Sequence, residues 1–151
     1  MTVLVHEVHI DAPAERVWRV LANLEAVERY NPGVVRARYI TVQREGVGAS
    51  RQCDLKPKGW TKERVTGWEP GEALTLELTD SQWPVTFMRW RTALRPEASG
   101  TLVTQRMEYR LKFGVLGRLL DALIMRRKLD RTISEIFASL KRYVESGSAG
   151  P

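Results

Sequence analysis

The chain has 151 residues, of which 43% are hydrophobic and 28% are charged, a balance typical of one soluble globular domain with an apolar core. This composition excludes a multidomain enzyme, a collagen-like chain and an intrinsically disordered chain. The net charge of +6 permits an anionic partner without identifying it. A single cysteine, Cys53, excludes an internal disulfide and a cysteine-based zinc cluster, and it favours a cytoplasmic location. No apolar run approaches the roughly 18 residues of a membrane span.

The first predicted elements are a strand and two short helices. Apolar residues alternate from Val3 to Ile10, which predicts a strand with His6 on its apolar face. Asp11 is expected to cap a helix that continues to Leu24. A second short helix is predicted from residue 25 to residue 30, where a proline-glycine turn follows.

The segment from residue 34 to residue 113 predicts about six further strands, and two turns within it predict registers. A loop over residues 56–60 would place Cys53 opposite Glu63, with Leu55 opposite Thr61 and Arg51 opposite Val65 as its neighbours. A turn over residues 69–72 would place Val65 opposite Leu76 and Glu63 opposite Leu78. Both turns assign these side chains to the same, inner face of the sheet.

The inner face combines many apolar side chains with a few polar ones, which is the usual make-up of a small-molecule site. Its polar members include His6, Glu63 and Tyr109. The residues predicted to contact a ligand are Arg51, Cys53, Val65, Leu76, Leu78, Met88, Trp90, Gln105, Met107, Tyr109 and Leu123.

Two interpretations of the polar residues remain open. His6 can serve as a general base, with Tyr109 or Glu63 as the acid, in a cyclisation or dehydration. Alternatively, His6 is a hydrogen-bonded wall residue, and Glu63 is the partner of Arg51 at a diagonal position. His6 and His9 lie on opposite faces of the first strand, and the chain carries no nucleotide-binding motif, so we predict neither a metal nor a cofactor.

A long helix is predicted from Gly117 to Glu145, and it carries two apolar stripes. The first stripe consists of Leu116, Leu119, Leu120, Leu123 and Ile124. The second consists of Met125, Leu129, Ile133, Ile136, Phe137, Leu140 and Val144. A straight helix cannot bury both stripes on one sheet. Either the helix bends near Met125 or the first stripe has another role.

Basic residues follow the first stripe, a pattern typical of an interfacial membrane helix. The residues predicted to contact a membrane or a partner are Leu116, Leu119, Leu120, Arg126, Arg127 and Lys128. The alternative is a solvated basic face whose leucines pack on a loop or on a second subunit. The positive charges are otherwise scattered without a docking motif, so nucleic acid is not a predicted partner.

The chain resembles the START-related helix-grip superfamily (SRPBCC), and more narrowly its polyketide cyclase/dehydrase and lipid-transport-like members. The residues that carry the resemblance are Ile10 to Trp18, Tyr30 to Val34, Glu63 to Val65, Glu69 to Gly71, Gly100-Thr101 and Leu140 to Glu145. The resemblance implies an α+β fold in which a curved antiparallel sheet of about seven strands wraps around a long C-terminal helix, with two short helices after the first strand. It also implies a cavity for an apolar or amphipathic small molecule, but no particular reaction.

We therefore expect one ligand-binding domain over residues 1–146 and a flexible tail over residues 147–151. The first functional hypothesis is a monomeric or homodimeric protein that binds or carries a hydrophobic small molecule, lipid or polyketide-like. The second is a cyclase or dehydratase that uses His6, Glu63 and Tyr109. The third is an interaction module that dimerises or binds a partner through the helix at residues 116–128.

Overall fold

The computed structural model describes residues 1–147, so the predicted tail beyond Gly147 lies outside the described residues. Seven antiparallel strands form one sheet in the order β1-β7-β6-β5-β4-β3-β2. The strands are β1 (Thr2–Ile10), β2 (Val34–Tyr39), β3 (Ser50–Leu55), β4 (Trp60–Glu69), β5 (Ala73–Ser81), β6 (Val85–Glu97) and β7 (Gly100–Leu111).

Two short helices follow β1, and a long helix ends the chain. The helices are α1 (Ala14–Ala22), α2 (Val27–Tyr30), α3 (Gly114–Leu120) and α4 (Arg126–Glu145), with a 3-10 turn (Leu24–Ala26) before α2 and a π-helical turn (Asp121–Met125) between α3 and α4. The last three helical segments run without interruption for 32 residues. This confirms the predicted fold: a curved antiparallel sheet, two short helices after the first strand and a long C-terminal helix.

The predicted cap of the first helix is wrong. Pro13 occupies the position before α1 and no side chain caps the helix. Asp11 is engaged elsewhere, because its carboxylate contacts Nε2 of His9 at 3.0 Å and its backbone N–H donates to Oε2 of Glu145 at 2.7 Å. The helix also ends at Ala22, two residues before the predicted end.

One predicted register is confirmed and the other is shifted by two residues. Val65 lies opposite Leu76 and Glu63 lies opposite Leu78 on β4 and β5, as the turn predicts. On β3, however, Arg51 rather than Cys53 lies opposite Glu63. The backbone N–H of Leu55 donates to the carbonyl of Gly59 at 2.9 Å, which centres this turn one residue earlier than expected. A shift of two residues leaves each side chain on its predicted face.

The core lies between the concave face of the sheet and helices α1 and α4. The second predicted stripe supplies the contacts of α4, since Ile133, Phe137, Leu140 and Val144 are all buried. Full burial of a side chain of this size contributes roughly 1.5–3 kcal/mol relative to exposure. The stripe therefore fixes α4 against the sheet.

The first stripe does not pack on the sheet. The π-helical turn shifts the helical phase between the two stripes, close to the predicted bend near Met125. On its N-terminal side, the buried residues of α3 and the π-helical turn are Gly117 and Asp121, whereas the leucines of the first stripe are exposed.

Candidate ligand-binding cavity

A cavity of about 590 Å³ lies between the concave sheet and α4. Its volume falls within the roughly 300–1,000 Å³ of typical small-molecule sites. Seven of the residues predicted to contact a ligand line it: Arg51, Cys53, Leu76, Met88, Trp90, Gln105 and Met107. Glu63 also lines the cavity.

Four residues predicted to contact a ligand lie outside the cavity lining. Val65 is fully buried in the main core, and Leu78 packs in a second cluster beside Leu4 and Ile133. Tyr109 is fully buried, and Leu123 points outward with 64% of its surface exposed. These four assignments are corrected: period-two alternation identifies the inner face of a strand but not which inner positions lie beside empty space.

Several lining residues on helices and loops were not predicted from the sequence. Tyr30 is the last residue of α2, Trp83 lies in the loop before β6, and Thr132 and Phe137 lie on α4. The second stripe could have identified the α4 residues. The apolar face of a helix that packs across a sheet also faces any cavity between the helix and the sheet. No sequence signal placed Trp83 at the cavity.

Arg51 and Glu63 form a buried ion pair in the cavity wall. The Nε and Nη2 atoms of Arg51 lie 2.8 Å and 2.7 Å from Oε1 of Glu63. Arg51 Nη1 also donates to the carbonyl of Leu24 at 3.1 Å, and the Thr61 hydroxyl donates to Oε2 of Glu63 at 2.9 Å. Both carboxylate oxygens are thus occupied, as the ion-pair interpretation of Glu63 requires.

The charged state of this pair follows from its surroundings. Burial is the largest single effect and acts to lower the pKa of Arg51, but the Glu63 carboxylate, together with Cys53 and Tyr30, raises the pKa above its usual value. The guanidinium therefore remains charged, and its charge is neutralised within the wall. A ligand entering the cavity meets a compensated pair and not a free charge.

Cys53 and Tyr30 present neutral groups to the same cavity. Burial, reinforced by the nearby Glu63 carboxylate, raises the pKa of the Cys53 thiol to about 12. Burial also raises the pKa of the Tyr30 phenol. Cys53 therefore behaves as a small apolar wall residue.

The three candidate catalytic residues do not converge. His6 Nε2 lies 2.7 Å from Oδ1 of Asp130, and its ring packs edge-on against Phe137 at 6.5 Å between ring centroids. The Tyr109 hydroxyl donates to Asp121, and burial followed by this hydrogen bond raises the Tyr109 pKa. Neither His6 nor Tyr109 lines the cavity, so Glu63 alone of the three faces it.

The mouth of the cavity is basic. Lys56, Lys58 and Lys128 are exposed and line it, and Trp83 is partly exposed beside them. Among the described lining residues Glu63 is the only carboxylate, and it is paired with Arg51. The lysine charges at the mouth are therefore not compensated by the cavity wall.

No group of three or more histidine, cysteine or acidic side chains within residues 1–147 is placed to hold a metal ion. Across the same residues, no helix has both the length and the apolar character needed to cross a membrane.

Comparisons with solved structures identify the same architecture elsewhere. TTHA0849 from Thermus thermophilus is 22% identical, with a TM-score of 0.80 and coverage of 97% of this chain and 99% of that one. A START superfamily protein from Mycobacterium smegmatis is 16% identical, with a TM-score of 0.80 and coverage of 95% and 97%. The di-domain ARO/CYC protein BexL from the BE-7585A biosynthetic pathway is 23% identical, with a TM-score of 0.78; all of this chain matches 48% of that one.

The fold is thus that of a START-related helix-grip domain. The family described as polyketide cyclase/dehydrase and lipid transport matches residues 1–145, and the chain belongs to this family. A comparison with curated proteins found no match. The family and the fold together indicate ligand binding or a cyclase-type function.

Proposed function

We propose that this protein binds a hydrophobic small molecule in the cavity between the sheet and α4. The observation that carries the proposal is the 590 Å³ cavity itself. In a close-packed interior, voids larger than a water molecule are few, so a space of this size within a small domain needs an explanation. A ligand that replaces the missing packing supplies one.

The lining supports an apolar ligand. Leu76, Met88, Met107 and Phe137 line the cavity, and the internal charges of Arg51 and Glu63 neutralise each other. Apolar surface transferred from water into such a space contributes about 25 cal/mol for each Å² buried. The apolar part of the ligand therefore provides most of the binding free energy.

The lysines at the mouth favour a ligand with an acidic end group. A carboxylate or phosphate beside Lys56, Lys58 and Lys128 would remain hydrated while the apolar part of the molecule enters the cavity. The proposed ligand class is therefore an anionic amphiphile, of which a long-chain fatty acid is the simplest member.

Binding accounts for the site better than catalysis does. A cyclase or dehydratase needs an acid and a base within reach of the same substrate. His6 contacts Asp130 and Tyr109 contacts Asp121, neither His6 nor Tyr109 lines the cavity, and the oxygens of Glu63 are occupied. Each of the three residues proposed for catalysis thus makes a contact within the fold, and no two of them lie together at the cavity.

The proposal is tested by titrating the purified protein with a fluorescent 18-carbon fatty acid. Ile136→Trp adds bulk at a partly buried lining position of α4, and we expect it to weaken binding at least tenfold. Ser134→Trp adds the same side chain at an exposed position of α4 outside the lining, and we expect it to bind as the wild type does. Circular dichroism confirms that both variants are folded.

Saturable wild-type binding that is lost in Ile136→Trp and kept in Ser134→Trp would support the proposal. Absence of wild-type binding across fatty acids, neutral lipids and polycyclic aromatic probes would overturn it. Equal affinity of the wild type and Ile136→Trp would also overturn it, because the probe would then bind elsewhere.

A further inference from the structure

Helix α3 and the π-helical turn that leads into α4 expose most of their large apolar side chains at the surface. Seven large apolar residues between β7 and Met125 are 41–72% exposed, and we call them the apolar ridge: Phe113, Val115, Leu116, Leu119, Leu120, Leu123 and Ile124. Surface helices of globular domains normally turn such residues inward. A contiguous exposed apolar surface of this kind indicates a contact with another surface.

Two contacts hold the helix in this orientation. A Cβ atom at Gly117 would lie 2.0 Å from the carbonyl oxygen of Lys112, so the absence of a side chain allows α3 to pack against the end of β7. Four residues later, the buried carboxylate of Asp121 accepts hydrogen bonds from the hydroxyls of Tyr109 and Thr2. Residues four apart lie on one face of a helix, so these two contacts direct the apolar ridge away from the domain.

Positive charge surrounds the apolar ridge. Six exposed basic side chains flank it: Lys112, Arg118, Arg126, Arg127, Lys128 and Arg131. Among residues 1–147, none of the six lies within 4.0 Å of a carboxylate. The two acidic residues of this stretch are engaged, Asp121 by the two hydroxyls and Asp130 by His6.

We propose that the apolar ridge and its six cations dock the protein on the surface of an anionic phospholipid bilayer. Apolar side chains enter the boundary between headgroups and acyl chains, while basic side chains contact acidic headgroups. A second copy of the chain fits less well, because a two-fold contact through the ridge would bring two sets of uncompensated cations together. An anionic bilayer satisfies both the apolar and the charged parts of the surface.

This docking goes beyond the proposed function and gives it a location. Met125, Lys128 and Leu129 line the cavity immediately after the apolar ridge ends. A bilayer in contact with the ridge would therefore lie beside the basic mouth of the cavity. The apolar part of an anionic amphiphile could then pass between bilayer and cavity without crossing bulk water.

The test is flotation of the purified full-length protein with vesicles. One set contains phosphatidylcholine alone, and the other contains phosphatidylcholine with 30% phosphatidylserine. We expect the wild type to float with the anionic vesicles, to remain in solution with the neutral ones and to be released by high salt.

Two double variants test the charged part and the apolar part of the docking surface separately. Arg126→Glu with Arg127→Glu replaces two of the six cations with anions, and the loss of each cation alone weakens anionic binding on the order of fivefold. Leu119→Ser with Leu123→Ser removes two exposed apolar side chains and leaves the charge unchanged. The matched control, Arg95→Glu with Arg142→Glu, makes the same change of charge at exposed positions outside the ridge and its cations.

Loss of flotation in both variants, with the control floating as the wild type does, would support the docking. Flotation of all proteins alike, or of none, would overturn it. A wild-type dimer in sedimentation that dissociates in Leu119→Ser with Leu123→Ser would assign the ridge to a second copy and would also overturn it. Fatty acid titration without vesicles tests the cavity separately, because neither docking variant alters an interior residue.

Discussion

Arg51 on β3 lies directly opposite Glu63 on β4, and the guanidinium contacts one carboxylate oxygen at 2.7 Å and 2.8 Å within the cavity wall. Desolvating both charges is costly, and their attraction offsets this cost only because Thr61 and Leu24 complete the hydrogen bonding. Pairing thus allows two charged side chains to lie in the wall of a largely apolar cavity.

Breaking this pair is expected to destabilise the fold more than replacing it. Arg51→Met or Glu63→Leu leaves one buried charge without a partner and should cost about 3–5 kcal/mol of unfolding free energy. The double variant removes both charges and should recover most of that loss. Urea denaturation of the wild type, the two single variants and the double variant gives the coupling free energy between the two side chains. Single and double variants that lose stability additively would contradict the ion-pair interpretation.

The pKa of Cys53 predicts a loss of stability at high pH. Burial raises the pKa of the folded-state thiol to about 12, whereas the unfolded thiol titrates near 9.0. Above pH 9 the unfolded chain loses this proton first, so the stability contribution present below pH 9 declines as the pH rises towards 12. Between pH 8 and 10.5, the unfolding free energy of the wild type should fall about 2 kcal/mol more than that of Cys53→Ala.

Thiol reactivity provides an independent check on Cys53. Ellman's reagent should react slowly with the native protein at pH 8 and rapidly after denaturation, because only the thiolate is nucleophilic. Fast reaction in the native state would show an accessible thiolate and contradict the burial effect.

The sheet could be predicted well because its sequence signals are local. Turn chemistry over residues 69–72 is sufficient to place Val65 opposite Leu76. The β3-β4 hairpin has a longer loop with more than one possible closure, and its register was predicted two residues away. A shift of two residues keeps every side chain on the same face of the sheet. The sequence therefore still assigns Arg51, Cys53 and Glu63 to the inner face.

The site could be predicted only in part, because an inward-facing residue lines the cavity at some positions along a strand and packs in the core at others. Tyr109 alternates inward like Met107, yet the polar helix residue Asp121 covers it. Sequence spacing between residues 109 and 121 carries no signal that their side chains meet. The outward orientation of the first stripe likewise depends on Gly117 and Asp121, whose roles emerge only from the packed structure.

Tyr109→Phe distinguishes a structural hydroxyl from one that contacts the ligand. The substitution leaves the buried Asp121 carboxylate with one hydroxyl donor, from Thr2, and should cost about 1–3 kcal/mol of stability. Fatty acid affinity should be unchanged, because Tyr109 does not line the cavity. Weaker binding without a loss of stability would instead place the hydroxyl at the ligand.

The lysines at the cavity mouth are expected to select acidic ligands. Lys56→Gln with Lys58→Gln should weaken binding of an 18-carbon fatty acid by about 1.5-fold to 5-fold for each lysine, and the effect should shrink at high salt. Binding of the matching fatty alcohol should be unaffected. Lys62→Gln is the control, because Lys62 lies over the Trp60 ring and outside the cavity lining. Equal losses for acid and alcohol would contradict charge selection.

Gly117→Ala is expected to displace the helix that carries the apolar ridge. The added Cβ would lie 2.0 Å from the backbone oxygen of Lys112, so the helix must move, at a cost of about 1–3 kcal/mol. Amide hydrogens of α3 should exchange faster while those of α4 near Leu140 stay protected. Gly33→Ala is the matched control, since its added Cβ meets its nearest atom at 3.4 Å. Unchanged exchange in α3 would show that the close approach of Gly117 does not hold this helix in place.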